Sequence, residues 1–411
     1  MTEAAAIASM RKSVLLLAAA GGLCVALALL SLAALRGGAG IAAALVLLLL
    51  SLPAWLLLGG GRLAIERQRR IQAGEADLFL VRNGPRSEAA ARAGDVPPWS
   101  GARRWIARQV FGHSRMVGDL VRVKSIEAIR ATLDNNGCLD GLPFMDEMQA
   151  FCGHTARVYR VVDKIYDYGR SRLMRRLDRC VLLVGLRCDG AAHAGCEAAC
   201  YLIWKSAWLE GDESGTHQPV PGASREVPTG ELHCQYTELT QATQPLPTRN
   251  WRGWLGPWVV GNVSARAFAV AALTRAFNSF QSWRRGVGYP VGLPGDGQAP
   301  PVSETLNPGD WVRVRLAPEI ARTLDKNSKN RGLWFDADMY KYCGQVFQVR
   351  GRVRQIIDVN KHAMIPMKTP CITMEDVHYT GEFQGFGEQH DYLYWREAWL
   401  QRVEPPSPAP R

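Results

Sequence analysis

Four side chains of the types that metal ions select fall within one short run: Cys188, His193, Cys196 and Cys200, in Arg-Cys-Asp-Gly-Ala-Ala-His-Ala-Gly-Cys-Glu-Ala-Ala-Cys. Three thiolates and one imidazole suit a closed tetrahedral zinc site, with ligand distances of roughly 2.3 Å for sulfur and 2.0–2.1 Å for nitrogen. If a helix begins at Cys196, Cys200 lies four residues on and shares its face. Cys188 and His193 would then approach from the glycine-containing loop before it. The spacing is not that of a paired Cys-x-x-Cys knuckle. Three states therefore stay open: a structural zinc, an iron–sulfur centre, and packed thiols without a metal. A catalytic zinc would need an open position and a nearby acid or base. Asp189 and Glu197 are the acids closest in sequence.

The chain supplies its own control for this cluster. Shifted by 191 positions, Gly118–Leu209 falls without a gap onto Gly309–Leu400. Gly118-Asp119-Leu120-Val121-Arg122-Val123 meets Gly309-Asp310-Trp311-Val312-Arg313-Val314, Cys152-Gly153 meets Cys343-Gly344, and Trp204, Trp208 and Leu209 meet Trp395, Trp399 and Leu400. The shared positions are mostly glycines, aromatics and aliphatics, the types that fix turns and cores. At the places of the four candidate ligands the later stretch has Tyr379, Gln384, Gly387 and Asp391, whereas Cys152 and Cys180 keep their counterparts Cys343 and Cys371. Cys152 and Cys180 thus read as framework, and the other three cysteines as something peculiar to the first stretch. Glu197 has a counterpart, Glu388, in the stretch without the cluster, which argues against a catalytic role for it. Asp140, Asp146 and Glu147 read as surface acids of a short helix.

The Gly-Asp-x-Val-Arg-Val opening, the short Val-rich strands and the closing aromatic segment resemble SH3-like barrels. The block Gly-Leu-Pro-Phe-Met-x-Glu-Met, followed by Phe-Cys-Gly, Arg-Cys-Asp-Gly, a His, two spaced Cys and Trp-Lys-x-Ala-Trp-Leu, resembles an uncharacterised bacterial family. The resemblance covers Gly118–Leu209 in full and the later stretch only in its framework. Members of that family often have a further Cys where this chain has Tyr166. The resemblance implies a fold and no activity.

The elements that must carry these modules begin with an apolar N-terminus. Ser13–Leu35 and Ile41–Leu58 contain no charged side chain, and at about 1.5 Å per residue each is long enough to cross a bilayer core. Arg11 and Lys12 precede the pair, Arg62, Arg67, Arg69 and Arg70 follow it, and the connection offers only Arg36. The positive-inside rule then predicts a two-span hairpin in a bacterial inner membrane with both termini cytoplasmic. Of the formal net charge of +11, eleven Arg minus five acids, or +6, lies between Gly61 and Met116. That placement gives the charge a membrane explanation rather than a nucleic-acid one. A reducing compartment also favours packed thiols or metal ligands over disulfides among the ten cysteines.

The expected fold is an N-terminal transmembrane α-hairpin followed by two repeated, mainly β, SH3-like barrel domains with short helices. The domains run 13–58 for the hairpin, 61–117 for a basic juxtamembrane linker, 118–209 for the first repeat, 210–308 for a linker with a Trp-rich segment and an amphipathic helix, 309–403 for the second repeat, and 404–411 for a disordered tail. The helix over Ser264–Arg285 is expected to pack on the repeats or rest, with Trp251, Trp254 and Trp258, on the leaflet. No phosphate-cradling loop, nucleophile elbow or His-Glu-x-x-His occurs. Arg122 and Lys124, matched by Arg313 and Arg315, form a basic edge without stacking aromatics, so a nucleic-acid partner is not expected. The function expected is that of a membrane-anchored, cytoplasm-facing scaffold or binding protein for a protein or peptide partner. The alternative is a metal-dependent or redox enzyme component built on Cys188, His193, Cys196 and Cys200.

Overall fold

The computed structural model describes residues 3–34, 38–73, 88–94, 99–168, 171, 173–211, 231–247, 250–292, 295, 305–384 and 386–406. The end of the tail expected to be disordered (407–411), half of the linker at 83–100 and the polar segment 212–230 lie outside these residues. The chain forms two compact units, Met1–Arg82 with Ala265–Pro300 and Arg315–Gln345, and Asn83–Ser264 with Pro301–Val314 and Val346–Arg411.

In the first unit, helix α1 (Glu3–Ala34) packs along α2 (Gly38–Ala73). Both are long and apolar enough to cross a membrane, and most of their apolar side chains are exposed. Pro53 is accommodated inside α2, which continues through the basic run Arg62–Arg70. At 36 residues it extends about 54 Å, well beyond a hydrocarbon core of about 30 Å. The helix Ala265–Trp283 buries Ala267, Val270, Thr274 and Phe277 and packs on α2. The contact is close because α2 carries glycine there: a Cβ at Gly60 would lie 2.3 Å from the Leu273 carbonyl oxygen. Gln281 is buried here, and the Ser13 hydroxyl lies 2.7 Å from its amide oxygen.

The second unit is mainly β. Strand β1 (Leu120–Arg122) pairs with β4 (Thr155–Tyr166), β4 with β5 (Met174–Arg187), and β5 with β6 (Tyr201–Lys205). The short β2 (Cys138–Leu139) and β3 (Leu142–Pro143) form a separate ribbon, and β7 (Gln244–Pro245) adds to β5. The sheet curls until Val123 bridges Leu209. Trp204 and Trp208 fill its interior against Phe144 at ring distances of 6.3 and 5.3 Å. Truncating either Trp would cost about 3–5 kcal/mol. The span Leu142–Phe151 is not one helix as the apolar run predicts. Pro143 lies in β3 and only Asp146–Phe151 turns, as a 3-10 segment.

A second curled sheet joins β12 (Ala363–Met374), β11 (Val346–Asp358), β8 (Trp311–Val314) and β13 (Leu400–Arg402) in that order. Its backbone pairs recur at the sequence offset of 191. Leu120↔Arg157 has the counterpart Trp311↔Gln348, Val162↔Cys180 has Val353↔Cys371, and the bridge Val123↔Leu209 has Val314↔Leu400. Even the register shift between Val158 and Arg160 recurs between Val349 and Gly351. Such shifts kink a strand and increase its twist. The excursion with β9 (Lys329–Asn330) and β10 (Leu333–Trp334) belongs to the first unit.

The sheets of the second unit are tied together by two carboxylates. One oxygen of Glu197 accepts from the backbone N–H groups of Arg354 and Gln355. One oxygen of Glu388, 191 positions on, accepts from those of Asp163 and Lys164 at 2.7 and 3.0 Å. Each bond set satisfies N–H groups of the partner strand where its pairing register slips, between Val353 and Gln355 and between Val162 and Lys164.

Candidate metal centre

β5 delivers Arg187 and then Cys188 to a tight loop. The Cys188 backbone N–H donates to the Cys200 carbonyl at 2.8 Å, closing the loop. A 3-10 turn, Ala191–His193, points His193 inward and buries it. Gly190 has φ of +78°, and a Cβ there would sit 2.0 Å from the Cys196 carbonyl oxygen, so no other residue fits. The Gly190 N–H donates to the Cys188 sulfur at 3.3 Å, the kind of bond that favours a thiolate. No helix begins at Cys196: residues 196–200 are irregular and Ala199 has φ of +50°. The reason is a contact distant in sequence. Glu197 is held to β11 through its carboxylate and through its own N–H, which donates to the Gln355 carbonyl at 3.1 Å.

Cys188, His193, Cys196 and Cys200 all line one cavity of about 30 Å³, together with Glu147 and Cys234. Within it the ligand atoms of Glu147, Cys188 and His193 lie within 4.8 Å of one another. The structure brings Cys196 and Cys200 to the same wall without placing them in that tighter group. Glu147 is not a surface acid. It meets the His193 Nε2 at 2.8 Å, and its second oxygen is buried without a hydrogen-bond partner. Burial pushes the Glu147 carboxyl up, but the bond with His193, a backbone hydrogen bond and the His193 charge together outweigh it, and the net shift is downward.

Burial pushes the Cys188 thiol up to about 12, and Cys200 is raised by burial and then by the Asp391 carboxylate. Cys234 is raised by burial too. Thiols in such a setting stay protonated and inert on their own. A divalent cation reverses that balance, because it binds the thiolate and releases the proton. The donor set, the cavity of about one ion's size and the orphaned Glu147 oxygen all fit a zinc-like ion.

Glu147 and Cys234 escape the sequence reading, since one lies 46 residues before His193 and the other follows a long polar segment. The signal for Cys234 is the dipeptide His233-Cys234. For Glu147 it is an acid at the first turn of an apolar segment. Cys180, Cys343 and Cys371 are buried as framework residues should be, while Cys152 is half-buried. Arg122 of the basic edge lies 3.7 Å from Glu210.

Beside the cavity, and sharing Cys188 with it, is a cleft of about 870 Å³. Positions 191 apart meet in its wall: Gly185 and Asp376, and Arg187 and His378. The Arg187 guanidinium lies 3.6 Å from the Tyr201 ring centre and 4.2 Å from that of Tyr392, and its Nη2 is 3.1 Å from the His378 Nε2.

No family model matches the chain, and neither a curated protein nor a solved structure matches it.

Proposed function

We propose that this chain is a membrane-anchored binding protein in which two copies of an SH3-like module present a shared cleft, the first copy being clamped by a zinc ion. The observation that carries the reading is the cleft itself. Its volume of about 870 Å³ is that of a small-ligand or peptide-side-chain site, and equivalent positions from both sheets line it. The offset of 191 in strand pairing, and the reciprocal bonds of Glu197 and Glu388, support duplication of one module. The curl of each sheet supports the barrel reading.

α1 and α2 cross the bacterial inner membrane as a hairpin, and the Arg/Lys distribution favours both termini on the cytoplasmic side. Anchoring raises the local concentration of whatever the cleft holds, here a protein or peptide. Cys188 and His193 hold the zinc with Glu147, and Cys196, Cys200 and Cys234 supply further thiols on the cavity wall. The zinc fixes the loop that ends at β6, and so the cleft's Arg187 side. The metalloenzyme alternative takes an iron or an open zinc in the same cavity.

The test uses the full chain in detergent, loaded with Co2+ after chelation. A thiolate-to-metal charge-transfer band that Cys188→Ser abolishes, with a melting temperature that rises on metal addition, supports the clamp. A spectrum without that band, with unchanged melting, removes it. A coloured protein containing iron as isolated favours the enzyme.

A further inference from the structure

A second group of imidazoles stands apart from the cysteine cavity. His233 sits on the irregular segment 231–234, and His362 on the turn joining β11 to β12, where its φ is +50°. The two elements are fixed to each other, because the Leu232 N–H donates to the His362 carbonyl at 2.8 Å. Their rings stand 4.8 Å apart between centres. One ligand atom each from Glu231, His233 and His362 lies within 4.8 Å of the others. Glu231 and His233 face the same way, since a Glu231 carboxylate oxygen lies 3.5 Å from the His233 Nε2.

Two facts separate this group from an ordinary surface cluster. The His233 Nε2 and the His362 Nδ1 are both buried and have no hydrogen-bond partner. Unsatisfied buried ring nitrogens in a native fold call for an explanation. In addition, the other His233 nitrogen, Nδ1, lies 2.6 Å from the Glu238 carboxylate, which is itself held by Gln241 at 3.0 Å. An Nδ1–H donated to a carboxylate leaves Nε2 as a lone pair aimed into the group, the arrangement by which carboxylates orient metal-binding histidines. The Glu231 carboxylate is 3.5 Å from that same Nε2 and the Glu238 oxygen is 3.9 Å from the His362 Nδ1.

We infer that Glu231, His233 and His362 form a second metal site, which takes a divalent transition ion of the zinc type on two imidazoles and one carboxylate, with Glu238 as the positioning residue. Three protein ligands leave a coordination position for water or an anionic ligand, unlike a closed structural site. Cys234, next in sequence, faces the cysteine cavity, so one segment serves both sites. The inference does not rest on the cysteine site.

The test counts Co2+ equivalents bound by the chelator-treated full chain in detergent, with its absorption spectrum. His362→Ala and His233→Ala should each remove one equivalent and leave any thiolate charge-transfer band intact. Glu238→Gln should weaken that equivalent by about 10- to 100-fold, with the metal-free melting temperature unchanged, whereas a purely structural Glu238 would lower melting and leave affinity alone. Cys188→Ser must leave the equivalent in place. Retention of full stoichiometry by His362→Ala, with the variant folded by its melting curve, would overturn the proposal. If that variant is unfolded, Glu231→Gln on the exposed arm gives the same reading, and undiminished binding there overturns it equally.

Discussion

At their described residues, the loop Cys188–Cys200 and its counterpart Tyr379–Asp391 share left-handed positions and a 3-10 turn but carry opposite chemistry. Gly190 and Gly381 take φ of +78° and +61°, Gly195 and Phe386 take +81° and +63°, and Ala199 and His390 take +50° and +52°. Each loop contains a 3-10 turn at the same place, Ala191–His193 and Glu382–Gln384. One loop offers thiols and an imidazole. The other packs Asp391 against the Tyr236 hydroxyl at 3.0 Å and His390 between Tyr159 and Arg160 at 2.8 and 3.0 Å. The lesson is that the backbone does not need a metal to adopt this path. A metal in the first loop therefore adds function or stability to a conformation that side-chain packing alone maintains in the second.

The largest expected effect divides the two loops at one position. Cys196→Ser should remove a cavity thiol and lower stability by about 4 kcal/mol or more if a metal is bound. Gly387→Ser places the same residue at the equivalent point, where a Cβ would be 3.4 Å from the Tyr379 ring, and should change the melting temperature little. Equal effects on thermal unfolding would break the contrast. Next come the glycines. Gly190→Ala and Gly381→Ala should each cost roughly 3 kcal/mol, since a Cβ at Gly381 would lie 2.2 Å from the Gly387 nitrogen. Denaturant midpoints that fall for only one of them would show that the shared backbone is not equally enforced.

Much of this comparison is legible in the sequence. Gly118, Gly141, Gly153 and Gly190 reappear at the matching places, and every one of them has positive φ, so their spacing predicts turns. The tryptophans that predict a core are the tryptophans at its centre. Cys188, His193, Cys196 and Cys200 are also legible as a group. What sequence does not reveal is long-range placement. Nothing near Glu147 announces that His193 will descend onto it. Nor does the Glu197–Glu388 match announce its meaning. Both are identical because each closes a register slip in the other sheet, a role that needs both sheets to be seen. The helix expected at Cys196 fails for the same reason, since Glu197 is engaged elsewhere. The helix Ala265–Trp283 buries its stripe on α2, where Gly60 and Gly61 leave room for Leu273 and Phe277.

The paired glutamates give a pH test. Burial raises the Glu388 carboxyl from 4.5 to about 7, against the pull of Lys164. The folded state thus holds a proton that the unfolded state has released. Its contribution is fully present below pH 4.5 and lost as pH rises through about 7. Burial pulls the neighbouring His113 down, but its bond and charge pairing with Asp163, helped by the Glu388 charge, raise it overall, so it too contributes stability that is lost as pH rises. Glu388→Gln keeps an oxygen for the Asp163 and Lys164 N–H groups, so it should flatten the decline by on the order of 1–3 kcal/mol while His113 continues to contribute. Chemical denaturation from pH 4.5 to 7.5 measures it, and a slope unchanged by Glu388→Gln would remove Glu388 as its source.

The smallest effect concerns how each module enters its first short helix. The Ser125 hydroxyl accepts from the Ala128 N–H, capping Ile126–Arg130, whereas Leu316 at the equivalent place before Ala317–Ala321 has no side-chain oxygen to offer. The second helix compensates from the other direction: the Glu319 carboxylate accepts from the Leu316 N–H at 2.8 Å, and Pro318 stands in its first turn. Ser125→Ala should therefore cost about 1 kcal/mol. Leu316→Ser should restore the missing half of a reciprocal cap and gain a few tenths of a kcal/mol, reduced by whatever apolar contact Leu316 gives up. If both substitutions destabilise equally, side-chain packing rather than capping decides how these helices start.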